Sequence, residues 1–117
     1  MVPRSGIRGG QRAQARVSGS DSRAARILAR VEEIPAGFVR TYGDIDPGAP
    51  RMVGLVLATT HQDVPWHRVV RADGSIPKGP LQRGLLLQEG VPMRGQRVDL
   101  EQARLTFWDE WEMRRQR

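Results

Sequence analysis

The feature that most constrains this chain is a seven-residue run, Val64-Pro65-Trp66-His67-Arg68-Val69-Val70. An apolar, helix-like stretch precedes it, and Val69-Val70 has the β-branched character of a strand. Trp66 and His67 therefore stand side by side at a junction between a helix and a strand. Any fold for this chain must turn there and house an indole and an imidazole at the turn.

The 117 residues include no cysteine. That removes disulfides, thiolate zinc sites and cysteine nucleophiles together. The two histidines, His61 and His67, have no carboxylates at metal-ligand spacing, so neither metal nor cofactor is expected. The length suits one domain with a modest core. No apolar run approaches the roughly eighteen residues of a membrane span. Residues 1–10 lack the apolar segment of a secretory signal, and a cytoplasmic location is expected.

The formal charge of +6 is unevenly placed. Residues 1–30 hold seven arginines against Asp21 alone, whereas residues 31–117 hold twelve bases and twelve acids. A basic arm suits a polyanion through phosphate contacts and counterion release. A solvated tail that aids solubility is the other reading. Residues 1–21, rich in Gly, Arg, Gln and Ser, are expected to be disordered, with one domain over 22–117.

Ala24, Ile27, Leu28, Val31 and Ile34 recur at helical spacing, predicting an amphipathic helix from Ser22 to Glu33 that Pro35 and Gly37 end. Asp21 or Ser22 offers its N-cap. Thr41 can cap a short helix beginning at Tyr42, and Asp46-Pro47-Gly48-Ala49-Pro50 reads as a turn. Arg51–Thr60 reads as the next helix. Val69 to Pro77 predicts a hairpin turning at Asp73-Gly74, and Ile76–Arg83 a loop. Leu81, Leu85, Leu86 and Glu89 predict a short helix closed by Gly90. Asp99 can cap a last segment holding Leu105, Phe107, Trp108 and Trp111, aromatics better suited to packing than to a ligand.

Ile34-Pro35-Ala36-Gly37-Phe38-Val39-Arg40-Thr41-Tyr42-Gly43, the Arg51–Thr60 helix, Pro65-Trp66-His67-Arg68-Val69 and Gln88-Glu89-Gly90 together resemble the O6-alkylguanine-DNA alkyltransferase family. The resemblance runs from Ala24 to Asp99, without the N-terminal domain of many alkyltransferases. In the repair enzymes a cysteine stands where this chain has Trp66. The pattern with tryptophan is similar to the alkyltransferase-like branch, which binds alkylated guanine without repairing it. The resemblance implies a small, mainly α domain with a β hairpin, a helix-turn-helix and a wing. About five residues fewer than usual join Tyr42 to Arg51, which leaves the first helix of that motif little more than one turn.

The resemblance also implies the site. Trp66, His67, Val64, Pro65 and Tyr42 would line an alkylguanine pocket. Thr41, Tyr42, Arg51, Gly54, Arg68, Lys78 and Arg83 would contact DNA. Arg51 matches an arginine finger that fills the hole left by a flipped base. Gly54 suits a helix pressed into the narrow minor groove. Tyr42 matches a phosphate-contacting tyrosine; a surface plug is its other reading. Trp66 could instead be a residue packed between strand and helix. His67 and Glu89, with no thiol to activate, would keep a structural hydrogen bond. The implied protein is a non-enzymatic monomer without cofactors. It binds duplex DNA containing O6-alkylguanine, flips the base and flags it for nucleotide excision repair proteins, with no membrane partner and a nucleoid location if bacterial. The alternative is a winged-helix DNA binder without lesion specificity.

Overall fold

A computed structural model describes residues 22–105. Residues 22–32 are helical (α1), and a turn follows at Glu33. Ile27, Leu28 and Val31 of α1, with Ile34 beyond it, are buried in the first half of the core. This is the stripe that the helical spacing predicts. The expected disorder of residues 1–21, the Asp21 cap and the packing of Phe107, Trp108 and Trp111 lie outside the described residues.

Strand β1 (Arg40–Thr41) leads directly into α2 (Tyr42–Ile45). The helix is four residues long, as the shortened connection requires. Local chemistry starts it: the Thr41 hydroxyl accepts from the Asp44 N–H, and the Asp44 carboxylate accepts from the Thr41 N–H, both at 3.1 Å. One turn of helix is unstable by itself, and three arginines pin it from outside. Arg104 grips Asp44 at 2.6 and 2.9 Å. Arg23 grips Asp46 at 2.7 and 2.9 Å, and Arg30 donates to the Ile45 carbonyl at 2.6 Å. The basic face of α1, read as polyanion-binding, thus spends two of its arginines on the fold.

Helix α3 (Pro50–Thr59) starts on a proline, whose missing N–H costs nothing at a first helical turn. It buries Val53 and Val56. A 3-10 turn (Trp66–Arg68) then feeds β2 (Val69–Val70). β2 pairs in parallel with β1, Arg40 opposite Val69 and Thr41 opposite Val70. The expected hairpin is therefore absent at this point. Its turn exists, closed by the Gly74 N–H to the Arg71 carbonyl at 2.8 Å, but the returning chain moves away to α4. Because side chains alternate along a strand, Val69 joins the α1/α3 half of the core and Val70 joins the other half with Val39, Leu86, Val91, Val98 and Ala103.

Helix α4 (Gly79–Gln88) begins within the stretch read as a loop. Pro80 sits in its first turn, and Gln82 and Leu86 form its buried stripe. A hairpin does occur later, β3 (Met93–Arg94) against β4 (Arg97–Val98), where Gly95 supplies the positive φ of a two-residue loop. Asp99 caps α5 (Leu100–Ala103) by accepting from the Glu101 N–H. The following residues run beside Val39 and bury Leu105. Among the described residues no helix is long and apolar enough to cross a membrane. The fold is mainly helical with two small sheets, in line with the expected class.

Gly74 has φ +85°, and a Cβ there would lie 2.5 Å from the Val98 carbonyl oxygen. Gly74→Ala should therefore destabilise the domain by about 2–3 kcal/mol, combining backbone strain with a clash against main chain. A lowered denaturant midpoint at unchanged slope is the expected result.

Candidate functional site

Two elements meet around Trp66. Tyr42 of α2 and Gly54, Leu57 and Ala58 of α3 form one wall of a cleft of about 420 Å3. Pro77 and Lys78, then Leu81 and Gln82 of α4, form the other, and Trp66 joins them. That volume lies in the range of small-ligand clefts, roughly 300–1,000 Å3. The lining is predominantly apolar. Among the described residues, the Trp66 indole N–H, the Tyr42 hydroxyl and the Lys78 ammonium have no hydrogen-bond or ion-pair partner. Burial raises the Tyr42 phenol above its ordinary pKa, against a smaller opposing pull from Arg71. Tyr42 therefore stays a neutral O–H donor at physiological pH.

Gln82 holds this arrangement together. Its side chain is completely buried. The amide NH2 donates to the His67 and Val69 carbonyls at 3.0 and 2.9 Å, and its oxygen accepts from the Lys78 N–H at 3.0 Å. One satisfied amide thus ties the Trp66 turn to the start of α4. Gln82 was not among the expected site residues. A signal existed: it falls four residues before Leu86, on the stripe that the helix buries.

The other expected residues separate into inward and outward groups. Val64 is only 4% exposed and belongs to the core. Neither Val64, Pro65 nor His67 lines the cleft. His67 turns to Glu89, with Nε2 2.9 Å from its carboxylate, and stands edge-on to Trp66 with ring centroids 6.0 Å apart. Arg68, expected on DNA, is turned inward: it makes two bonds to Glu89 at 2.6 and 2.9 Å and a third to the Ile34 carbonyl at 2.7 Å. Thr41, also expected on DNA, is buried and occupied as the α2 cap. Arg83 lies on α4, not in a loop, and reaches the Gly95 carbonyl at 3.3 Å. Gly54 faces Tyr42; a Cβ there would sit 3.8 Å from its ring.

Arg51 is exposed at the start of α3 and has no partner among the described residues. A cation gains nothing from the positive end of a helix dipole. Leu55, 62% exposed, follows one turn later on the same outward side, and α3 carries no acidic residue. Beside the cleft lies a shallower hollow of about 370 Å3, which Arg51 shares with Pro50, Tyr42, Gly54, Pro77 and Arg71. Arg71 was not among the expected residues.

Glu89 occupies the C-cap of α4, where the helix dipole disfavours an anion. Arg68 first, then His67, override both this and the cost of burial and hold its carboxyl down at about 2. A carboxyl depressed in the folded state adds stability that is complete above its unfolded value and lost as pH falls through its folded value. The window here runs from about pH 4.5 down to about 2. The Glu89 contribution should be about 2 kcal/mol once screening at its solvent-facing edge is allowed for. Urea melts at pH 7 and pH 3 should show Glu89→Gln less stable than the parent at pH 7, with the gap narrowing at pH 3.

Comparison with known proteins places these features in context. A family model described as the 6-O-methylguanine DNA methyltransferase DNA-binding domain matches residues 22–102. The chain is 39% identical over 99 residues to the DNA base-flipping protein of Escherichia coli K12, covering 74% of this chain and 77% of that one. It is 37% identical over 79 residues to Alkyltransferase-like protein 1 of Schizosaccharomyces pombe, covering 56% and 73%. Its fold is similar to the crystal structure of S. pombe Atl1 in complex with damaged DNA containing O6-carboxymethylguanine. There the TM-score is 0.62 at 31% identity, over 71% of this chain and 94% of that one.

Proposed function

The chain belongs to the family of the 6-O-methylguanine DNA methyltransferase DNA-binding domain, and from that membership we propose a protein that flips O6-alkylguanine out of duplex DNA and transfers nothing. The observation that carries this reading is the cleft lined by Trp66, open beside a helix whose Arg51 has no partner among the described residues. A flipped purine needs a flat apolar surface and a few polar groups to orient it. Trp66 offers the surface and an N–H, and Lys78 offers a further donor. Extrusion costs a few kcal/mol, and less where an alkyl group has already weakened pairing.

In this reading α3 lies in the minor groove. Arg51 enters the stack, where its flat cation fills the space of the missing base and bonds the orphaned partner. No alkyl transfer follows, because Trp66 occupies the acceptor position, the sequence has no cysteine, and an indole is not an alkyl acceptor under ordinary conditions. The His67–Glu89 pair that would serve a thiolate is tied into the Arg68 network instead. The solved complex of the S. pombe relative with lesion-bearing DNA supports the substrate class. Transfer of the lesion to nucleotide excision repair, action as a monomer, and a cytoplasmic or nucleoid location complete the proposal, supported by family resemblance.

The test is a fluorescence titration with matched duplexes, one carrying O6-methylguanine and one guanine, at near-physiological salt. Tighter binding to the lesion is expected; equal binding would replace this reading with a winged-helix binder lacking a base pocket. Trp66→Ala should lower lesion affinity by the scale of one base-stacking contact, about 1–3 kcal/mol, and leave plain-DNA affinity nearly intact. Arg51→Ala should likewise cost more on the lesion duplex. Intact-protein mass spectrometry after incubation with alkylated DNA should show no added mass.

A further inference from the structure

We infer that Arg71, at the end of β2, is a phosphodiester ligand, and that it acts with the Tyr42 hydroxyl on a backbone phosphate beside the flipped nucleotide. The inference rests on the base-flipping reading and assigns a residue that this reading leaves unused.

Three observations converge on it. The first is position. Arg71 and Tyr42 share the shallow hollow of about 370 Å3, which adjoins the base-sized cleft through Tyr42, Gly54 and Pro77. A nucleotide whose base enters the cleft carries its phosphates only one sugar away, and the hollow is the neighbouring concavity.

The second is charge. Among the described residues no carboxylate lines the hollow, and the ionised groups there are Arg51 and Arg71. The nearby acids are engaged elsewhere, Asp44 by Arg104 and Asp46 by Arg23. Arg71 makes one long side-chain bond, 3.4 Å to the Ser75 hydroxyl, which a phosphate oxygen would readily replace. Its guanidinium is near enough to pull the Tyr42 phenol against the effect of burial. The two donors therefore address one small volume.

The third is rigidity. Arg71 stands on a turn closed at both ends: its N–H donates to the Ser75 carbonyl at 3.1 Å and its carbonyl accepts from Gly74 at 2.8 Å. Asp73 closes the turn further by accepting from the Ser75 N–H, and Gly74 is locked to Val98 through a 2.9 Å bond. A cation on such a pedestal loses little freedom on binding. The two arginines of the hollow then divide the work. Arg51, on the outward face of α3, goes to the base stack, and Arg71, on the strand end, goes to the backbone.

The experiment is a double-substitution cycle on the full chain. Arg71→Ala is compared with the parent on the O6-methylguanine duplex and on the same duplex with one neutral methylphosphonate, placed immediately 5′ or 3′ of the lesion. Arg71→Ala should weaken binding to the unmodified lesion duplex by roughly five- to tenfold, the scale of one charge-assisted contact. The slope of log affinity against log salt should fall by about 0.9. On one of the two methylphosphonate duplexes the substitution should have no further effect, and Arg71→Lys should recover part of the loss. An Arg71→Ala effect that is absent, or equally large on every duplex, overturns the assignment. Lesion preference without this cycle sinks Arg71 alone; an intact cycle without lesion preference in the parent sinks the flipping reading alone. Arg71 is exposed, and an unchanged Tm for Arg71→Ala confirms that binding, not folding, is measured.

Discussion

The arrangement depends on one carboxylate in an unfavourable place. Glu89 ends α4, where the dipole and partial burial both oppose a negative charge. Arg68 and His67 reverse the balance, and both come from the short turn that carries Trp66. A third bond from Arg68 reaches the Ile34 carbonyl just beyond α1. One ionic cluster thus joins α1, the Trp66 turn and α4. A buried ion pair adds little net stability against an apolar replacement, but its geometry is exacting. Its service here is to fix the direction in which Trp66 faces.

The same economy governs the remaining cations. A net charge of +6 suggests a surface devoted to polyanions. Four of the described arginines serve the fold instead. Arg23, Arg30 and Arg104 brace a helix too short to stand alone, and Arg68 is folded inward. Arg51 and Lys78 are without partners among the described residues, and Arg71 holds only a long bond to Ser75. All three border the cleft or the hollow beside it. Among the described residues, these three loosely held cations border the space in which a flipped nucleotide would lie.

The cleft gains its character from a substitution and a buried amide. Trp66 brings a broad apolar face and an N–H donor to the cleft. Gln82, holding the His67 and Val69 carbonyls and the N–H of Lys78, fixes the Trp66 turn against the α4 wall.

The sequence by itself determined three helices, because amphipathic spacing and caps are local: α1 from its apolar stripe, α2 from its Thr41 cap, and α3 from Arg51 onward, one residue inside its observed start. It also determined the chemistry that is impossible, since a missing cysteine needs no coordinates. Four residues expected at the site, Trp66, Tyr42, Arg51 and Lys78, line the cleft or the hollow beside it. Only the tertiary structure decided which way each polar side chain faces. Arg68 is bonded to the fold because Glu89 and the Ile34 carbonyl are brought to it, whereas Arg51, also in a matching motif, meets no partner among the described residues. It decided that Val69-Val70 pairs in parallel with Arg40-Thr41 instead of folding back, a contact between residues far apart in sequence that no local pattern encodes. It also put Arg71 beside Tyr42 and Gln82 behind the cleft. Those partners are chosen by the packing of distant segments, and packing is a property of the folded chain as a whole.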